Sequence, residues 1–136
     1  MLLEGNKMTI TAYYPIYLRR DIEAALKQYT EELGFELLHT VEDGVVKAYV
    51  LGLGSYRIEI VNLDRDFLRD KPDGFLATRV NVREMEEALA YFQSKGYKPF
   101  AGVIEETSFH FAPLMNDAGE IIFLSHHLRQ DERETN

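Results

Sequence analysis

Glu59 stands in the run Tyr56-Arg57-Ile58-Glu59-Ile60-Val61, alternating with two isoleucines. If the isoleucines pack beneath a helix, the carboxylate points to the other side of the strand with Arg57 and Val61. Apolar and aromatic surroundings raise a carboxylate pKa and make it a candidate general base. Paired with Arg57 or Arg79, the same residue is a partly buried structural ion pair. Arg79 carries a planar fork suited to clamping an anionic ligand, and its ordinary alternative is a surface arginine on an open strand. His110 alternates with Phe109 and Phe111, so it shares the opposite face with Ala112. There it titrates near neutral pH, binds a ligand, or is simply hydrogen-bonded. His126 and His127 point to opposite faces of one strand and make no joint metal site, and His39 reads as a surface residue. Tyr13, Tyr14, Tyr49, Tyr56, Phe109, Phe111 and Phe123 are candidates for a ligand-site wall, with core packing as their default role.

The elements that position these residues are organised around a stretch that occurs twice. Asp21-Ile22-Glu23-Ala24-Ala25-Leu26-Lys27-Gln28-Tyr29, closed by Leu33-Gly34-Phe35, aligns with Glu84-Met85-Glu86-Glu87-Ala88-Leu89-Ala90-Tyr91-Phe92, closed by Gly96-Tyr97. The glycines match after a single-residue gap. Apolar residues at helical spacing make both stretches amphipathic helices. Asp21 suits the first N-cap, Glu84 places a carboxylate at the positive end of the second helix, and Gly34 and Gly96 suit left-handed C-terminal positions.

Before the first helix, Met8 to Leu18 reads as a strand with Ile10, Ala12, Tyr14, Ile16 and Leu18 on one face. Pro15 places it at an edge, a seam or a bulge, and a bulge exchanges Tyr14 for Tyr13 on that face. Strands follow at Glu36–Val41 and Val45–Leu51, joined by the Glu42-Asp43-Gly44 turn, and at Tyr56–Val61. Residues 64–74, charged and ending in Pro72-Asp73-Gly74, read as a linker. The second half repeats the order with strands at Phe75–Val82, Pro99–Ile104, Ser108–Met115 and Glu120–His126, the last two joined by Asn116-Asp117-Ala118-Gly119. Residues 129–136 form a polar tail. One domain of two modules, 8–63 and 75–128, is expected, since units of about sixty residues are marginal alone.

A net charge of −8 argues against phosphate-neutralising nucleic-acid binding and disfavours an acidic membrane surface. There is no cysteine, hence no disulfide framework and no thiolate chemistry, which fits a cytoplasmic protein. Met1-Leu2-Leu3, followed by Glu4, is too short for a signal peptide, and no segment approaches a membrane span.

Two tandem βαβββ modules, an α+β fold, resemble the vicinal oxygen chelate superfamily of glyoxalases, bleomycin-resistance proteins and extradiol dioxygenases. The resemblance covers about Met8 to Leu128 and rests on Leu33-Gly34-Phe35, Arg57-Ile58-Glu59-Ile60 and the Asn116–Leu124 segment. It implies a curled mixed sheet around a cavity, and pairing of modules across subunits in a homodimer. It also implies metal ligands on the first and fourth strands of each module. Those positions hold Tyr14 or Tyr13, Glu59, Ala77 and Phe123, of which Ala77 and Phe123 offer no donor. The reading that follows is a metal-free, cofactor-free module binding a small organic molecule in an aromatic-lined cavity. Its expected ligand-binding residues are Tyr14, Arg57, Glu59, Arg79, His110 and Phe123, with Glu59 as the catalytic candidate. The alternatives are a metal-dependent lyase, isomerase or dioxygenase with non-standard ligands such as Glu59 and His110, and a degenerate scaffold.

Overall fold

The duplicated helices and their flanking strands form as the periodicities require. The computed structural model describes residues 8–43, 46–63, 68–105 and 109–127. The chain divides into two units, one of Tyr14–Ala77, the other of Met1–Tyr13 with Thr78–Asn136.

In the first of these, most of strand β1 (Ile10–Arg19) and strands β2 (Glu36–Asp43), β3 (Val46–Leu53) and β4 (Tyr56–Asn62) accompany helix α1 (Ile22–Lys27). Their order across the sheet is β2-β3-β4-β1. Pairing is antiparallel for β2–β3 and β3–β4 and parallel for β1–β4. Gly44 of the expected Asp-Gly turn lies outside the described residues. Asp21 caps α1 as expected, its carboxylate accepting from the Ala24 amide at 3.0 Å. The helix face of this unit is Ile22 and Ala25 against Tyr49, Leu51, Ile58 and Ile60, with Tyr17, Leu26, Tyr29 and Phe35 packed around them. Tyr49 also donates its hydroxyl to Glu23 at 2.7 Å, and Lys47 meets the same oxygen at 2.7 Å, so β3 is tied to α1 at its rim.

The helix does not end at Lys27. It passes into a π-helical turn, Gln28–Glu32, in which the Leu33 amide donates to the Gln28 carbonyl. Gly34 follows at φ +80°, and the Phe35 amide closes onto the Tyr29 carbonyl. In the second copy, α2 (Met85–Ser94) ends at Gly96 with φ +92° and the Tyr97 amide closes onto the Phe92 carbonyl. The aromatic pairs match as well. Tyr29 meets Phe35 edge to face at 5.6 Å, and Phe92 meets Tyr97 edge to face at 5.5 Å.

The other unit contains most of β5 (Phe75–Val82), α2, and the strands β6 (Lys98–Pro99), β7 (Ile104–Glu105), β8 (Phe109–Met115) and β9 (Ile121–His127). The order is β5-β9-β8-β6, with β7 also on β8. Met8, Val80, Val82, Ala112, Leu114, Ile122 and Leu124 pack against Ala88, with Ile10, Met85, Leu89 and Phe92 around them. Glu84 takes the N-cap backbone position of α2, but its carboxylate accepts from the Thr9 amide at 2.6 Å and so ties the start of β1 to the helix. The single strand expected over Pro99–Ile104 is instead two short pieces. Neither Pro99 nor Pro113 on facing β8 has an amide to donate, and the Phe100 amide donates to the Pro113 carbonyl before the chain leaves the ladder, to rejoin it at Ile104. Asn116 closes the β8–β9 turn with both ends of its amide, accepting from the Glu120 amide and donating to the Glu120 carboxylate.

The charged stretch read as a linker contains a buried anchor, Leu68 at 0% exposure. Its Pro72–Gly74 turn is fastened to the end of β1. The Gly74 amide donates to the Leu18 carbonyl, and the Asp73 carboxylate accepts from the Arg20 amide and Arg19 Nε. The Arg20 amide, with the two arginine charges, holds the Asp73 pKa below the usual aspartate range. A lowered folded pKa contributes stability that is present above the ordinary aspartate pKa and lost as pH falls through the folded value. Melting curves from pH 6 downward should therefore show wild type above Asp73→Asn at pH 6 and the two converging below about pH 4. A constant difference across that window would show that the carboxylate charge is not what holds the turn.

No described helix is long and apolar enough to cross a membrane.

Candidate functional site

In each unit the strands have one face under the helix and one face away from it, and the polar candidates sort by face. In the Tyr14–Ala77 unit, Ile58 and Ile60 pack under α1, so Arg57, Glu59 and Val61 face the other way. Glu59 is 3% exposed and stands across from Ile16 of β1 and Val50 of β3. Burial on β1 alternates without interruption through Pro15. Tyr13 is 72% exposed while Tyr14, Ile16 and Leu18 are buried, so no bulge shifts the register and Tyr14 shares the face of Glu59. The one-faced reading of β1 holds from Tyr14 to Leu18, whereas Ile10 packs into the cluster beneath α2. Tyr14, Arg57 and Glu59 are thus brought to one face.

In the other unit, Val80 and Val82 pack under α2, so Arg79 and Asn81 lie on the opposite face of β5. By the same alternation Phe111 of β8 and Phe123 and Ser125 of β9 lie opposite Ala112, Ile122 and Leu124. Arg79 is 6% exposed, not a surface arginine. Its Nη1 donates to Ser125 Oγ at 2.5 Å, and the Ser125 hydroxyl lies 3.3 Å from the Phe123 carbonyl. The guanidinium carbon sits 5.6 Å from the Phe111 ring centre and 5.4 Å from that of Phe123, and the two rings stack at 5.2 Å. A cation over two ring faces in a dry setting is stabilised by their quadrupoles while its plane is fixed in direction.

His110 is not brought to this group. It lies on the Ala112 face, directly across from His126, whose Nδ1 is 3.3 Å from the Val82 carbonyl. Phe109 and His127 have side chains outside the described set, and His39 is exposed. Ser125 and Asn81 were not singled out in the sequence. Ser125 had a signal in its place two residues beyond Phe123, on the same face; Asn81 had one in being the polar residue between two valines.

Of the four positions at which the resemblance implies metal ligands, two carry no donor atom. Ala77 has no donor and Phe123 offers an apolar ring already packed on Phe111. Among the described residues no group of three or more histidines and carboxylates converges.

A strand, a helix and further strands, repeated in tandem with glycine-closed helices, define the α+β architecture of the glyoxalase fold. A family model described as the Glyoxalase/Bleomycin resistance protein/Dioxygenase superfamily matches residues 14–112, and the chain belongs to that superfamily. Solved structures agree at the level of the fold. Methylmalonyl-CoA epimerase from Mycobacterium tuberculosis is similar with TM-score 0.69 and 16% identity, covering 97% of this chain and 96% of that one. The hypothetical protein BH1468 from Bacillus halodurans gives 0.67 and 17%, covering 93% and 98%. A superfamily member from Vibrio splendidus gives 0.57 and 13%, covering 87% and 99%. A comparison with curated proteins found no match.

Proposed function

We propose that this protein binds a small organic acid, its apolar or aromatic body against Phe111 and Phe123 and its anionic end directed to Arg79, without an essential metal. The observation that carries this reading is the buried guanidinium held over two stacked rings and braced by Ser125. An arginine fixed in this way presents a planar, directed set of donors in apolar surroundings, where charge-assisted hydrogen bonds to a carboxylate are strongest. Tyr14, Arg57 and Glu59 are a separate polar group on one face of their own unit, with Glu59 as the candidate proton acceptor there. His110 has no part in this reading. Pairing of two copies belongs to the proposal and is checked by sedimentation.

Benzoate is the first probe. At about 100 times its Kd, a ligand of the folded state adds about 2.7 kcal/mol and raises the melting temperature by several degrees. Arg79→Met fills much of the arginine's volume without its charge and should lose the benzoate-induced rise, whereas Arg79→Lys, which keeps charge but not the fork, should keep a reduced one. A rise undiminished in Arg79→Met would overturn the assignment of the anion to this residue.

A further inference from the structure

Asn81 is 1% exposed, and neither its Oδ1 nor its Nδ2 has a hydrogen-bond partner among the described residues. Its backbone is engaged, since its carbonyl accepts from the Thr11 hydroxyl at 3.3 Å. The contrast with Asn116 is instructive: there a structural asparagine uses both ends of its amide within one turn. Buried polar groups are nearly always satisfied, and an amide left without partners destabilises the folded state. The flanking residues Val80 and Val82 show what this strand otherwise carries. An apolar residue at position 81 would remove the penalty, and none of the described residues supplies this amide with a partner.

We propose that Asn81 is a ligand-reading residue, selecting molecules that present a hydrogen-bond donor beside an acceptor. The amide offers N–H and C=O side by side, and their complement is a primary carboxamide or a lactam edge. A carboxylate or ketone accepts from Nδ2 but leaves Oδ1 unanswered. Asn81 stands two residues from Arg79 on the same face of β5, a separation of about 6.6 Å. The rings of Phe111 and Phe123 lie on that face. The ligand class is therefore a flat aromatic acid carrying a carboxamide or lactam across the ring from its carboxylate. This rests on the reading of Arg79 above and adds the group at the opposite end.

Two compounds isolate the added claim. 4-Carbamoylbenzoate carries both groups, and 4-acetylbenzoate replaces its amide NH2 with a methyl group of similar size. Titration calorimetry on the unmodified protein should find the carbamoyl compound bound at least about tenfold more tightly, because the acetyl compound leaves Oδ1 unpaired. In Asn81→Leu the preference should vanish while 4-acetylbenzoate still binds, and the ligand-free variant should melt above wild type. Equal affinity of the two compounds for wild type overturns the inference even if the variant does not fold. So does a preference that survives in Asn81→Leu, or a ligand-free variant that folds but melts below wild type. If benzoate binds through Arg79 and the two compounds do not differ, only the Asn81 inference falls. If none of the three binds, the small-acid reading falls and this one with it.

Discussion

Phe123→Ala is expected to be among the most damaging single substitutions in this chain, costing about 3–5 kcal/mol in denaturant titration. The ring is 1% exposed, stacks on Phe111, and carries the Arg79 guanidinium on its face. Removing it deletes apolar burial and leaves a void beside a buried cation, which loses part of its compensating environment. Phe123→Leu refills most of the space and should cost clearly less. A loss below about 1 kcal/mol for the alanine variant would mean that the ring is not packed as described.

The second large effect lies in the other unit. Ile60 is fully buried in β4, with Tyr17 beside it on the parallel side and Tyr49 on the antiparallel side, and it belongs to the cluster beneath Ile22 and Ala25 of α1. A site with a strand on each side and a helix above collapses poorly around a void, so Ile60→Ala should cost about 2–5 kcal/mol and Ile60→Val about 0.5–1.5 kcal/mol. Equal losses for the two variants would show that cavity formation is not what the position responds to.

Much of this architecture was legible because its signals are local. Helical spacing with Asp21 before it and Gly34 after it leaves little freedom in how that stretch folds, and the repetition at Glu84 to Gly96 doubles the signal. What failed to show depends on partners distant in the chain. The break after Pro99 needs Pro113 on the facing strand, two missing amides that only pairing brings together. Leu68 was hidden in a charged segment because one buried leucine has no period. At the site, alternation placed Glu59 and separated His110 from its flanking phenylalanines. It did not say that Arg79 is buried, since a strand arginine reads the same whether or not two rings from other strands lie beneath it. Ser125 and Asn81 fall in the same class, being short polar residues whose importance is set by what faces them.

The π-helical turn at Gln28–Glu32 bears on how a folded chain absorbs a change in length. The closing bond of the first helix, from Phe35 to Tyr29, encloses one residue more than the corresponding bond from Tyr97 to Phe92. The aromatic contacts at the two ends are nonetheless the same. The extra residue is held as a wider helical turn, so the insertion sits within the helix and not in the loop after it. A structure-based alignment of the two halves should place its gap between Gln28 and Leu33, and a variant shortened there has a ready-made α-helical template in its own second half.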